Sequence, residues 1–459
     1  MKAIKMTFKF EDKSAQQWIE LDNKNVWHPF TPMKQWIGQK DMTGRIIVEA
    51  QGFDLIDQQG NRFVDGFSSL WCNLHGHRVP QVDQAIKDQV DKIAHCTMLG
   101  HASLPSIRLA EQLVEITPAG LDKVFYSDSG ATAVEVALKM AYQYFQNIGE
   151  SNKTKFIALE NSYHGDTIGS VSVGGVGLFH RIFNQLLFEA TFIESPCEAY
   201  HPAGAGASDA VIEKLDALLE KSADEYCALI IEPLMQGAAG MLNHPAGFLK
   251  RVREITKKHN VLLICDEVAT GFGSTGKLFA CDHEDVCPDL MTLGKKITNG
   301  YLPIASTMAT QEIFDGFLGE VADGKTFYHG HTFTGNALGC AAAVASIDLI
   351  HSSGLVDKMP GKVELITEKL AVLSDKPYVK SIRQVGFMVG VELVAPETRP
   401  GDPASLTGAQ VCFNAREKGV IIRPLGDVIV LMPAPAMDEK TLTKLLDVTV
   451  ETIIEYYEK

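Results

Sequence analysis

Short, continuously apolar runs alternate with helical patterns through the middle of the chain. Val124-Phe125-Tyr126 precedes a stretch from about Ala131 to Gln146 with the three-to-four-residue apolar spacing of a helix. Lys155 to Leu159, Cys227 to Ile231 and Val261 to Cys265 read as strands, with Ala210 to Lys221 and Gly247 to His259 as helices. A strand that is apolar at every position is buried on both faces. Such strands alternating with helices predict an α/β fold: a mostly parallel sheet with helices on both sides. Ligands of such sheets bind beyond the carboxyl ends of the strands.

The ends of the chain have another rhythm. Strand-like pieces between residues 42 and 66 surround the turn signal Asp57-Gln58-Gln59-Gly60-Asn61. Residues 375 to 435 mix strands and helices, and Glu439 to Tyr457 has a helical period. Both ends are expected to join in one smaller α+β domain. The division expected is 1–69 and 336–459 for the smaller domain, and 70–335 for the larger. Ala203 to Ser208, rich in alanine and glycine, reads as a surface loop.

Composition narrows the class. The chain has 459 residues, 46% hydrophobic and 22% charged, as in an ordinary globular protein. No apolar run approaches the ~18 residues of a membrane span. Met1 to Ser14 has no apolar stretch like that of a secretory leader. The net charge of −15 argues against a nucleic-acid partner. Nine scattered cysteines without a C-x-x-C pair argue for free thiols and a reducing cytoplasm. Cys281, His283 and Cys287 lack a second ligand pair, so no metal centre is expected. His329 and His331 fit a loop near a phosphate better than a metal pair.

Two strand ends carry candidate chemistry. Val261 to Cys265 runs into Asp266-Glu267, and Leu290-Met291-Thr292-Leu293-Gly294 runs into Lys295-Lys296. An amine that holds an aldehyde as a Schiff base, beside an anion for a ring nitrogen, is what pyridoxal phosphate requires. Spacing alone does not choose between Lys295 and Lys296. Asp266 could equally cap a helix. Ser129-Gly130 at a helix start offers N–H groups and a dipole to a phosphate, or a plain N-cap. Tyr163, in Tyr163-His164-Gly165-Asp166, is either a ring that stacks on a cofactor or a core tyrosine. Arg423, after an apolar run, would take a substrate carboxylate or a structural ion pair.

These motifs occur with Trp27-His28-Pro29-Phe30-Thr31, Phe67-Ser68-Ser69-Leu70-Trp71, Glu232-Pro233, Cys265 to Gly273 and Thr332-Phe333-Thr334-Gly335-Asn336. Together they resemble the class III aminotransferases of fold type I, over nearly the full length. The resemblance implies pyridoxal 5′-phosphate as cofactor and a large mostly parallel-sheet domain with a smaller α+β domain. It implies Lys295, not Lys296, as the Schiff-base lysine and Asp266 as partner of the ring nitrogen. Ser129 and Gly130 match the phosphate cup, and Tyr163 the stacking ring. Thr332 matches a phosphate ligand donated by a second subunit, so a homodimer with active sites at the interface is expected. Phe30, Trp71 and Arg423 match substrate positions, with Arg423 on a carboxylate.

The Trp-His-Pro and Ser-Ser-Leu-Trp segments point to the branch that aminates 8-amino-7-oxononanoate in biotin biosynthesis. Its amino donor is S-adenosylmethionine or lysine. Two departures bear on substrate choice: Phe30 stands where members often carry tyrosine, and Ser274 where many carry arginine. The rival reading is an ω-aminotransferase using pyruvate and a simple amine such as β-alanine or taurine. An aminomutase on the same fold and a non-catalytic nucleotide-binding protein are more distant alternatives.

Overall fold

The computed structural model describes residues 13–39, 43–395 and 407–458. Its centre is a seven-stranded sheet in the order Leu121–Ser127, Ala305–Thr310, Leu290–Leu293, Leu262–Asp266, Tyr226–Ile231, Lys155–Leu159 and Thr191–Ile193. Ala305–Thr310 runs antiparallel to both neighbours, and the other strands share one direction. The sheet is thus mostly parallel. Tyr226–Ile231 and Leu262–Asp266 are buried at every position, the two-sided burial that continuous apolar runs require.

Helices cover both faces. Gly130–Ile148 lays Val134, Ala137, Leu138, Ala141 and Phe145 against one of them. Ser129 caps this helix at its start, and Gly149, at φ 90°, ends it in the left-handed region. The opposite face packs on Leu104–Ile116, Ala207–Ser222 and Phe248–Lys258. The expected loop at Ala203 to Ser208 is a short 3₁₀ turn, Gly204–Gly206, running straight into the helix Ala207–Ser222.

The helix Ala337–Ser352 also lies in this core, through Cys340, Ala343, Ile347 and Ile350. The boundary expected at 335/336 counts this helix with the smaller domain, whereas its buried residues cluster with those of the large sheet. It packs chiefly on the helices Pro80–Val90 and Leu104–Ile116.

The two chain ends do come together. Val420–Ile421 joins Arg62–Asp65 in parallel, Val420 opposite Val64 and Ile421 opposite Asp65. A second small sheet orders Val379–Val385, Met388–Leu393, Val428–Leu431 and Arg423–Leu425. Helices Leu355–Leu370 and Glu439–Glu458 close that core with Met359, Ile366, Leu442 and Leu445. Trp71, Met235, Met241, Met388 and Met432 form a separate apolar cluster between the small sheet and the large domain. Among the described residues no single helix is long and apolar enough to cross a membrane. The bent pair Ala337–Ser352 and Leu355–Leu373 passes that test only jointly, and it is core.

Candidate active site

Leu262–Asp266 and Leu290–Leu293 are adjacent and parallel, with Asp266 opposite Thr292. Their carboxyl ends therefore deliver Asp266 and Lys295 to one edge of the sheet. Between that edge and the small domain lies a cavity of about 420 Å³. Asp266, Lys295, Gly130, Tyr163, Trp71, Phe30 and Arg423 all line it. The smaller sheet contributes Arg423 and Leu425, so the site exists only where both domains meet.

Asp266 is nearly buried and fully engaged. His164 Nδ1 lies 2.7 Å from Oδ2, and Oδ1 accepts from Thr292 Oγ1 at 2.9 Å and from Val268 N at 3.1 Å. Three such contacts fix the direction of the carboxylate. His164 is buried, and its Nε2 has no partner among the described residues. Glu232 is a second buried carboxylate on the cavity wall. It accepts from Tyr163 N at 2.9 Å and Gly237 N at 3.0 Å, and burial pushes its pKa up to about 7. Tyr163 donates from its hydroxyl to Asp166 Oδ2 at 2.7 Å. Burial above all, then that carboxylate, holds the phenol pKa above its usual value.

Lys295 and Lys296 go to different places. Lys295 begins a 3₁₀ turn at φ 44°, lines the cavity and sets its Nζ 5.1 Å from the centre of the Trp71 ring. Burial lowers its pKa, while Asp266 and Glu232 pull the other way. Lys296 runs beneath the cavity wall, where its Nζ donates to Ser274 Oγ at 2.8 Å and to the Trp71 carbonyl at 3.2 Å. Ser274 is buried there and does not line the cavity, so its expected bearing on substrate is at most indirect.

Gly130 opens the helix beside the cavity. A Cβ on it would sit 2.5 Å from Val268 Cγ1, so only glycine fits. Gly165, at φ 121°, meets the same helix, where a Cβ would come within 2.4 Å of Ala131 Cβ. Gly130, Ala131 and Gly165 line the cavity at this helix start. Ser129 stays exposed as N-cap, accepting from Thr132 N at 3.3 Å. Thr332 is exposed and lies outside the cavity of its own chain. Cys281 is buried in the large core, and the His283 ring meets the Thr275 carbonyl.

Arg423 faces the cavity with no ion-pair partner among the described residues. Burial lowers its pKa, and it stays a cation. Trp71 adds a buried indole N–H without a partner among the described residues. Phe30, at φ 51°, meets Phe179 edge-on at 5.4 Å, and Phe179 in turn meets Tyr163 at 6.2 Å. Sequence reasoning missed His164, Glu232 and Phe179 as site residues. The first two lie inside quoted motifs, whereas no local pattern marks Phe179.

An amine, a fixed carboxylate, a helix start and an unpaired arginine in one cavity define an aminotransferase of fold type I. The chain belongs to the class III aminotransferases, matching the family "Aminotransferase class-III" over residues 37–453. It is 49% identical over 435 residues to the adenosylmethionine-8-amino-7-oxononanoate aminotransferase of Nitratidesulfovibrio vulgaris, covering 93% of this chain and 79% of that one. The crystal structure of the enzyme of that name from Methanocaldococcus jannaschii superposes with a TM-score of 0.90 at 42% identity, over 96% of this chain and 99% of the other. An omega transaminase from Pseudomonas jessenii in complex with PMP gives 0.89 at 27% identity, over 96% and 98%.

Proposed function

We propose that this chain transfers an amino group to 8-amino-7-oxononanoate, giving 7,8-diaminononanoate for biotin synthesis, with S-adenosylmethionine as donor. The reading rests on one observation: Lys295, Asp266 and an unpaired Arg423 converge on a single cavity. The names of the most similar relatives agree with it.

The cofactor of this class is pyridoxal 5′-phosphate, and the residues present fit it. Lys295 and Asp266 would hold its aldehyde and ring nitrogen, Tyr163 its face, and Ser129 with Gly130 its phosphate. Bound, it supplies the electron sink that makes a substrate C–H acidic and carries the amino group between substrates. The remaining steps belong to the chain. Lys295 Nζ, lowered by burial, takes the proton from the donor's amine-bearing carbon and returns one to the acceptor's. Asp266, aligned by His164 and Thr292, would face the ring nitrogen. Arg423 pairs with the carboxylate of the oxo acid, and the low polarity of its surroundings strengthens the pair. Trp71 and Phe30 wall a pocket that donor and acceptor occupy in turn.

A second copy would complete the site. Thr332 is exposed away from its own cavity, and Leu99 and Leu104 on the same chain are 85% and 83% exposed. A homodimer covering this surface, with Thr332 reaching the other copy's phosphate, is the assembly proposed. All nine cysteines are unpaired, and the compartment proposed is the cytoplasm.

Lysine is the second donor reading, and Phe30 lines the pocket that either donor would enter. An ω-aminotransferase keeps every cofactor residue and differs in the pocket. The test supplies 8-amino-7-oxononanoate with S-adenosylmethionine or lysine, and pyruvate with a simple amine. Product from the oxononanoate alone supports the proposal. Turnover of pyruvate with no diaminononanoate overturns it. Lys295→Ala is expected to lose turnover by orders of magnitude while remaining folded.

A further inference from the structure

Ser68, Ser69, Leu70 and Trp71 form an unbroken left-handed turn, with φ of 54, 48, 73 and 68°. Non-glycine residues hold that conformation only where their surroundings impose it. Here the holders are visible. Asp65 accepts from Ser69 N at 2.9 Å and Ser69 Oγ at 2.7 Å, and Ser68 Oγ donates to the Met432 carbonyl at 2.6 Å. At the far end Lys296 Nζ donates to the Trp71 carbonyl at 3.2 Å and to Ser274 Oγ at 2.8 Å, and Ser274 Oγ donates to the Gly271 carbonyl at 2.8 Å.

Lys296 is 1% exposed and has no carboxylate at ion-pair distance among the described residues. A buried amine without an anion is costly, and an apolar side chain of similar length would fill the space at less cost. The lysine therefore supplies its two hydrogen bonds and not stability. One of them ends on the residue whose indole N–H is buried, unpartnered and on the cavity wall. Lys295, one position earlier, sets its amine over the ring of that same tryptophan.

We propose that Lys296 is a positioning residue for substrate: by gripping the Trp71 carbonyl it fixes the indole wall and its unpartnered N–H relative to the amine of Lys295. When Lys295 holds the cofactor's aldehyde, the ring loses the contact with a free amine and the Lys296 tether remains. The proposal rests on the reading above only for the substrate's identity.

The test uses holoenzyme labelled with 5-fluorotryptophan, with the Trp71 fluorine line assigned by Trp71→Phe. In Lys296→Met, the substrate-free Trp71 line is expected to shift or broaden. The acceptor KM should rise about tenfold, the net worth of about one hydrogen bond, with kcat little changed. Ser274→Ala removes one end of the bridge and keeps the lysine, so a smaller change in the same direction is expected. A folded Lys296→Met with an unmoved Trp71 line, or with wild-type KM, overturns the proposal. Should that variant not fold, an unmoved line in Ser274→Ala does so. The fluorine signal needs no substrate, and KM is read for whichever ketone the enzyme turns over. Failure of the acceptor assignment is thus separable from failure of the tether.

Discussion

Burial acts on two adjacent amines with different results. Lys295 loses water but sits near Asp266 and Glu232, which partly restore its charge. Lys296 loses water with only Lys295 and the Cys72 thiol near, and burial pushes its pKa down to about 7 from the ordinary 10.5. The sign of the consequence is fixed. Between about pH 7 and 10.5 the unfolded chain holds a proton on Lys296 that the folded chain has lost, so folding gains stability as pH rises through that window. The penalty is complete below pH 7 and absent above 10.5. Lys296→Met lacks this group. Its stability relative to the parent is expected to be greatest below pH 7 and to decline toward pH 10, as urea midpoints across that range would show. A difference that stays flat with pH, or grows toward alkaline pH, would refute the assignment.

At the scale of the element, the left-handed turn presents Leu70 and Trp71 to the cavity. Leu70 is about half exposed, and a surface substitution there would ordinarily change stability by less than about 0.5 kcal/mol. Its φ of 73° alters that expectation. Leu70→Val puts a β-branched side chain where the backbone crowds Cβ, and a loss of roughly 1–3 kcal/mol is expected in chemical denaturation. A neutral result would mean that the turn is not rigid. No such turn was legible in Phe67-Ser68-Ser69-Leu70-Trp71, because its conformation is dictated by Asp65, Met432 and Lys296. Two of these are distant in the chain. The strands Lys155–Leu159 and Leu262–Asp266, by contrast, are legible within a residue of their ends, since burial from Phe156 to Leu159 and along all of Leu262–Asp266 leaves continuous apolar runs. The antiparallel Ala305–Thr310 was missed: its small and polar residues, Ser306, Thr307 and Thr310 among them, break that run.

For the whole molecule, the site is a product of assembly. One wall comes from the large sheet, and Arg423 comes from a small-domain strand more than a hundred residues later. If Thr332 completes the phosphate site of a second copy, the particle in solution has about twice the chain mass of 50.2 kDa. Sedimentation velocity is expected to show that dimer. Thr332→Ala should loosen pyridoxal phosphate while leaving the dimer intact, although Thr332 lies outside its own chain's cavity. A monomeric active enzyme would remove the interface from the mechanism.

Legible along the chain are the parallel α/β core, the two strand ends bearing Asp266 and Lys295, the glycine at the helix start, and the resemblance that joins them. Each is a short-range pattern, set by period, burial and local turn chemistry. Legible only in three dimensions are that Lys296 turns under the wall to Trp71, that Ser274 is buried off the cavity lining, that His164 contacts Asp266, that Phe179 lines the cavity and that helix Ala337–Ser352 packs in the large core. Those are contacts between distant segments. Side-chain direction there follows from which surfaces meet, and one residue's neighbours along the chain do not encode it.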